Sequence, residues 1–102
     1  MLQEKLNQIL AKSEYVIVLA GAHWCGFCSK FKSVFEEVAM QHGSQYAFEN
    51  FDVTQDAEFP KNHKISGFPT ILFMKQGKEI AREMGYMSKE DFTMKIAKHF
   101  KD

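Results

Sequence analysis

The chain carries no excess of charge. Its 13 lysines and arginines are matched by 13 aspartates and glutamates, with no basic stripe, so the electrostatic footprint of a nucleic-acid binder is missing. Long apolar runs are absent too. The longest, Tyr15 to Ala20, falls far below the roughly 18 residues needed to span a bilayer, and the amphipathic N-terminus is not a signal peptide. No repeat, linker or low-complexity segment interrupts the 102 residues, which predicts a single domain over 1–102. Cysteine is scarcest of the residues that matter, with only 2 in the chain, and a disulfide framework is thereby excluded. None is needed: with 45% hydrophobic residues, a chain of this size buries roughly 60 to 70% of the surface its unfolded form exposes. A structural zinc site is disfavoured as well. It needs four ligands, and one cysteine pair leaves only the scattered His23, His42, His63 and His99 to complete it.

What is present is concentrated in Ala22-His23-Trp24-Cys25-Gly26-Phe27-Cys28, which holds both cysteines two residues apart. Two thiols at this spacing on the first turn of a helix bring their sulfurs close enough to close a small ring, so each can trap the intermediate the other makes. Cys25 is expected where unpaired backbone N–H groups and the positive end of the helix dipole converge, a position that favours a thiolate nucleophile. Cys28 lies one turn deeper, on the face that continues into Phe31, and is expected to be less exposed and to act second, as the resolving thiol. Two inert buried cysteines are the plain alternative. The flanking Trp24 and Gly26 count against it, Gly26 because it lets the backbone turn tightly and lets another chain approach.

The surrounding periodicities supply the scaffold. Phe31, Val34, Phe35, Val38 and Ala39 form one helical stripe that His42-Gly43-Ser44 ends, and Tyr15 to Ala20 reads as a strand buried on both faces. Strand, short loop with Cys-x-x-Cys, then helix is a redox context rather than a metal-binding one. Leu2, Leu6, Ile9 and Leu10 mark an amphipathic first helix, and Tyr46 to Val53 a second strand. Thr54 to Lys64 is polar and predicts a connection with at most a short helical turn. Thr70 to Met74 and Glu79 to Met84 flank Lys75-Gln76-Gly77-Lys78, a hairpin signal. Ser88 is placed to cap a last helix, with Asp91 three residues on and Met87 able to staple onto Phe92. The order α-β-α-β-loop-β-β-α predicts helices over a mixed sheet, its first two strands parallel and its hairpin antiparallel at one edge. Ser66-Gly67-Phe68-Pro69-Thr70 puts a proline before the third strand, which by itself reads as an ordinary trans proline at a strand start.

Taken together, Trp24-Cys25-Gly26-Phe27-Cys28 after a buried strand, Gly67-Phe68-Pro69-Thr70 before a hairpin, and Gly85 beyond it resemble the thioredoxin family over nearly the whole chain. The resemblance implies an α/β thioredoxin-like fold and a thiol-disulfide oxidoreductase that reduces protein disulfides by cycling Cys25 and Cys28 between dithiol and disulfide. It implies that Pro69 is cis, that Phe68 offers its backbone to an extended substrate, and that Trp24, Gly26, Phe27, Phe68, Pro69, Gly85 and Tyr86 form the docking surface. No metal or organic cofactor is implied. The expected partners are protein substrates with disulfides and a separate reductase as electron donor, with the protein itself a monomer. Localisation is expected to be cytoplasmic if Met1 is the native start, and periplasmic or otherwise oxidising if a leader has been removed.

The departures from the family pattern are as informative. The usual first strand is missing, so a four-stranded sheet is expected. Leu19 stands where the family keeps a buried aspartate that assists proton transfer at the second cysteine. Glu49, on the neighbouring strand, is a candidate substitute if its side chain points inward, against the simpler reading of a solvated surface glutamate, and Phe48 replaces a lysine that often accompanies the acid. Ser33 takes the place of a helix-kinking proline, which predicts a straighter helix. Phe27 replaces the proline between the cysteines, which leaves a backbone N–H free near the thiolate and predicts a less reducing protein. His23 would add positive charge near Cys25 when protonated, against the simpler reading of a solvent-facing loop histidine. Two other functions stay open at this point: an oxidase or isomerase of the protein disulfide isomerase type, and a peptide-binding module without turnover.

Overall fold

The computed structural model describes residues 1–101. Its elements are α1 (Leu2–Lys12), β1 (Tyr15–Gly21), α2 (Gly26–His42), β2 (Ala47–Asp52), a 3-10 turn (Val53–Gln55), α3 (Glu58–Asn62), β3 (Thr70–Lys75), β4 (Lys78–Met84) and α4 (Lys89–His99). The 4 strands form one mixed sheet in the order β2-β1-β3-β4, with β1 parallel to β2 and antiparallel to β3. The four-stranded sheet and the parallel pair joined through α2 are as the sequence predicts. Among the described residues, no helix is long and apolar enough to cross a membrane.

The unbroken apolar run of β1 has a direct cause, because both faces of this central strand are covered. Ile17 and Leu19 pack with Phe31, Phe35 and Val38 of α2 and with Phe92 and Ile96 of α4. Val16, Val18 and Ala20 face the opposite layer, where Leu6 of α1 and Phe59 of α3 lie. Alternation along a strand thus feeds two cores, and a strand that feeds two cores has no polar face to show. Aromatic rings dominate the first of them: Phe92 stacks on Phe35 at 5.7 Å and meets Phe31 edge-on at 5.1 Å.

The hairpin and the last helix form for local reasons. Gln76 and Gly77 connect β3 to β4 with φ values of 52° and 83°, the positive pair that a two-residue primed turn requires. Gly77 takes this without strain. Gln76 is held there by its N–H, which donates to the Glu14 carbonyl at 2.8 Å. At α4 the Ser88 hydroxyl accepts the Asp91 N–H at 3.1 Å, satisfying one of the helix's unpaired donors.

The segment 54–64 is more ordered than its composition predicts. Asp56 is buried, and its carboxylate accepts the N–H of Glu58 at 3.2 Å and that of Leu2 at 3.0 Å. Phe59 packs edge-on against Phe51 at 5.6 Å. A tertiary anchor and a capping carboxylate shared with the start of α1 therefore stabilise α3, a helix too short to announce itself by periodicity.

Candidate functional site

The site forms where β1 ends and α2 begins. After Gly21 the chain turns, the Cys25 N–H donating to the Ala22 carbonyl at 3.0 Å, and Cys25 becomes the N-cap of α2 with extended backbone angles. Its sulfur takes the place a serine or aspartate oxygen usually holds in a cap: Cys25 Sγ accepts the Cys28 N–H at 3.2 Å. The cysteines are free thiols, Cys25 partly exposed and Cys28 buried.

Cys28 is packed against the end of β1. A Cβ built on Gly21 would come within 3.2 Å of Cys28 Sγ, so the absence of a side chain there is what gives the second sulfur its room. Burial first, then the hydrogen bond to Cys25 and the nearby negative charge of Cys25 and Asp52, push the Cys28 thiol up to about 11. Native protein at pH 7 is therefore expected to take up one equivalent of iodoacetamide, on Cys25. A second label should appear only as the pH climbs toward that value. Peptide mapping by mass spectrometry checks this, and comparable labelling of Cys28 at pH 7 contradicts it.

The Phe68–Pro69 peptide bond is cis, and the Phe68 carbonyl lies 3.9 Å from Cys25 Sγ. This loop is tied at both ends, Thr70 Oγ1 donating to the Gly67 carbonyl at 2.6 Å and the Gly85 N–H donating to the Pro69 carbonyl at 2.8 Å. Gly85 has φ 95°, a conformation that favours glycine. Around the sulfurs stand exposed rings: Trp24 is 67%, Phe27 64% and Tyr86 44% accessible. Trp24 meets Phe68 edge-on at 5.7 Å, and Tyr86 meets Phe31 edge-on at 6.2 Å. Cys25, Trp24 and Phe68 thus lie together, Gly85 is tied to Pro69, and Tyr86 packs on Phe31 of α2. Met84, exposed and with its sulfur 3.2 Å from where a Gly67 Cβ would stand, borders the loop that carries Pro69 and is a neighbour the sequence does not announce.

Glu49 is not placed to serve Cys28. Along β2, Phe48 joins the core beneath α2 and α4, whereas Ala47 and Phe51 join the opposite core. Glu49, adjacent to Phe48, shares the Ala47 and Phe51 face by the two-residue period of a strand. The carboxylate on the Cys28 side is Asp52. A cleft of about 340 Å³ is lined by Leu19, Gly21, His23, Cys28, Asn50 and Asp52, among others. The parallel register that sets Leu19 beside Asn50 and Gly21 beside Asp52 assembles it. His23 Nδ1 lies 3.1 Å from Asp52 Oδ2 and 3.1 Å from Thr54 Oγ1, so this residue is engaged rather than merely solvent-facing. Hydrogen bonds from Thr54, and then from His23, hold the Asp52 carboxyl below its ordinary range. Among the described residues, no group of three or more His, Cys, Asp or Glu side chains is arranged to hold a metal ion.

Comparison with known proteins agrees with this geometry. The family model described as Thioredoxin matches residues 1–98. A thioredoxin of Mycoplasmoides gallisepticum is 33% identical over 87 residues, covering 85% of this chain and 86% of the relative. One from Acidithiobacillus ferridurans is 32% identical over 87 residues, covering 85% and 81%. Among solved structures, that of Plasmodium falciparum thioredoxin superposes with a TM-score of 0.87 at 26% identity, covering 95% of this chain and 93% of the other.

Proposed function

Given that the chain belongs to the thioredoxin family and is a protein disulfide oxidoreductase, we propose that it acts, as one domain over 1–102, as a monomeric reductase of protein disulfides. Cys25 attacks a substrate disulfide and forms a mixed disulfide. Cys28 then displaces the reduced substrate, leaving a Cys25–Cys28 bridge that a separate electron donor reduces. The observation that supports this division of labour is the asymmetry of the pair: Cys25 is partly exposed at a helix N-cap with an N–H donor on its sulfur, and Cys28 is buried behind it. Trp24, Gly26, Phe27, Phe68, Pro69, Gly85 and Tyr86 receive the substrate chain, with the Phe68 backbone available to an extended segment. A reductase of this kind suits a reducing cytoplasm.

Phe27 sets the poise. As the second residue of α2, which starts at Gly26 behind the Cys25 cap, Phe27 carries one of the first-turn N–H groups that have no partner within the helix and contribute to the positive end of its dipole. Proline at this position removes the donor, which weakens support for the reduced state. We expect Phe27→Pro to make the protein more reducing by about 30 mV, the equivalent of one hydrogen bond of about 1.4 kcal/mol. Equilibration with glutathione, followed by mass spectrometry of the acid-quenched species, measures it. The native protein is expected between roughly −270 mV and about −180 mV, the range separating thioredoxin from protein disulfide isomerase. A value at or above the upper bound replaces the reductase reading with the oxidase or isomerase one. No shift, or one toward a stronger oxidant in Phe27→Pro, removes Phe27 as the determinant of poise.

A further inference from the structure

The cleft behind Cys28 poses a problem of proton balance. Once Cys25 is tied up in the mixed disulfide its charge no longer acts on Cys28, but burial and the nearby Asp52 carboxylate still raise the Cys28 thiol, which must lose its proton to act on Cys25. Leu19 offers no acceptor, and Glu49 faces the other layer. The polar side chains that remain around the cleft are Ser29, Lys32, Asn50, Asp52 and His23, and of these only Asp52 and His23 are bases at neutral pH.

Their hydrogen bonds fix what each can do. The Thr54 hydroxyl donates to Asp52 Oδ1 at 2.5 Å, and the Thr54 N–H reaches the same oxygen at 3.1 Å. With its proton committed, Thr54 Oγ1 has only lone pairs to offer His23, and Asp52 Oδ2 is likewise an acceptor. Both face His23 Nδ1. Nδ1 must therefore carry the hydrogen, and in the neutral ring Nε2 keeps the lone pair. An imidazole whose one nitrogen is pinned to a carboxylate and whose other is a free base is the arrangement general-base chemistry uses.

We propose that His23, held by Asp52 and Thr54 at the open side of the cleft, accepts the Cys28 proton through water in the cleft as Cys28 displaces substrate from Cys25. The cleft, at about 340 Å³, exceeds what a single water needs, and its walls bring Cys28 and His23 to the same space. The proposal rests on Cys28 being the resolving thiol. In that step the Cys28–Cys25 sulfur bond forms and the bond from Cys25 to the substrate sulfur breaks. The substrate sulfur leaves with the electron pair and the two enzyme cysteines are oxidised to the bridge. The Cys28 proton passes to Nε2 and from there, through solvent, to the departing substrate thiolate. Asp52 is a positioning residue, acting through the tautomer it imposes. Besides the cysteines themselves, the charged groups facing the histidine are Asp52 from β2 and Lys32 from α2, both lining the cleft.

A chromogenic aryl disulfide, mixed with reduced protein in excess, separates the steps. Its first aryl thiolate is released when Cys25 attacks, its second when Cys28 closes the bridge. We expect His23→Asn to slow the second phase at least about tenfold at pH 7, to leave that phase climbing steeply with pH through the neutral range as the Cys28 thiolate fraction alone dictates, and to be partly rescued by added imidazole. Asp52→Asn keeps an acceptor for the Thr54 cap and removes a negative charge that holds the Cys28 proton on. Electrostatics alone would make its second phase faster, so a slower one supports the positioning role. A second phase in His23→Asn with the native pH profile and no response to imidazole overturns the proposal, as does an unchanged or faster Asp52→Asn. Absence of the first phase in native protein overturns instead the reading of Cys25 on which the proposal stands.

Discussion

Cys25→Ser is expected to lose disulfide reduction by several orders of magnitude, because a serine hydroxyl is scarcely ionised near neutral pH and nothing else at the surface can open a disulfide. Its fold should survive. A serine oxygen is itself a favoured N-cap and can accept the Cys28 N–H that the sulfur accepts at 3.2 Å. The pairing of unchanged stability with lost turnover separates a chemical role from a structural one. Turnover is followed with an oxidised protein substrate and excess dithiol, stability by urea unfolding. Retained turnover would remove Cys25 from the chemistry altogether.

The second large effect concerns Leu19, which is 1% exposed and packed among Phe31, Phe35 and Ile71. Leu19→Asp loses a buried aliphatic side chain and buries a carboxyl in its place, so we expect destabilisation of about 5 kcal/mol. The pH dependence has a definite sign. Burial raises the new carboxyl's folded pKa above the roughly 3.9 of the unfolded chain. Its protonated form is thus favoured in the fold, and the variant is least destabilised at acid pH. Stability should then fall by up to about 1.4 kcal/mol per pH unit as pH rises above roughly 4, until the folded pKa is reached. Urea titrations at several pH values measure this. A flat profile would mean that the carboxyl reaches solvent through the cleft beside Cys28, and that Leu19 is not the barrier its burial indicates.

The features legible in the sequence were those whose cause is local. The run Tyr15 to Ala20 announced a strand covered on both faces because covering removes the polar alternation, and the stripe Phe31, Phe35, Val38 announced α2 because one face packs. Gly77 marked the hairpin turn. Gln76 gave no such sign, since its positive φ is held by a hydrogen bond to Glu14 from a distant part of the chain. The helix α3 could be read only as a short helical turn, since its order comes from Phe59 and from a carboxylate shared with α1. At the site, the cysteines and the loop at Pro69 could be read because spacing and sequence context carry them. The condition set on Glu49, that its side chain point inward, turns on strand parity: neighbouring residues of β2 face different cores, and Glu49 shares the face of Ala47 and Phe51. The register with β1, Gly21 beside Asp52, makes the His23 and Asp52 pair, which no sequence spacing encodes. An Asp-x-Thr turn at Asp52 to Thr54 was the one available signal for that carboxylate.

The central claim is that the two sulfurs have different roles, and trapping tests it most directly. Cys28→Ser and Cys25→Ser are each incubated with an oxidised protein substrate, quenched with acid and alkylating agent, and resolved on non-reducing gels with and without later reduction. The account predicts a reducible covalent adduct with Cys28→Ser, mapped by mass spectrometry to Cys25, and none with Cys25→Ser. Equal trapping by both variants, or trapping by Cys25→Ser alone, would contradict it.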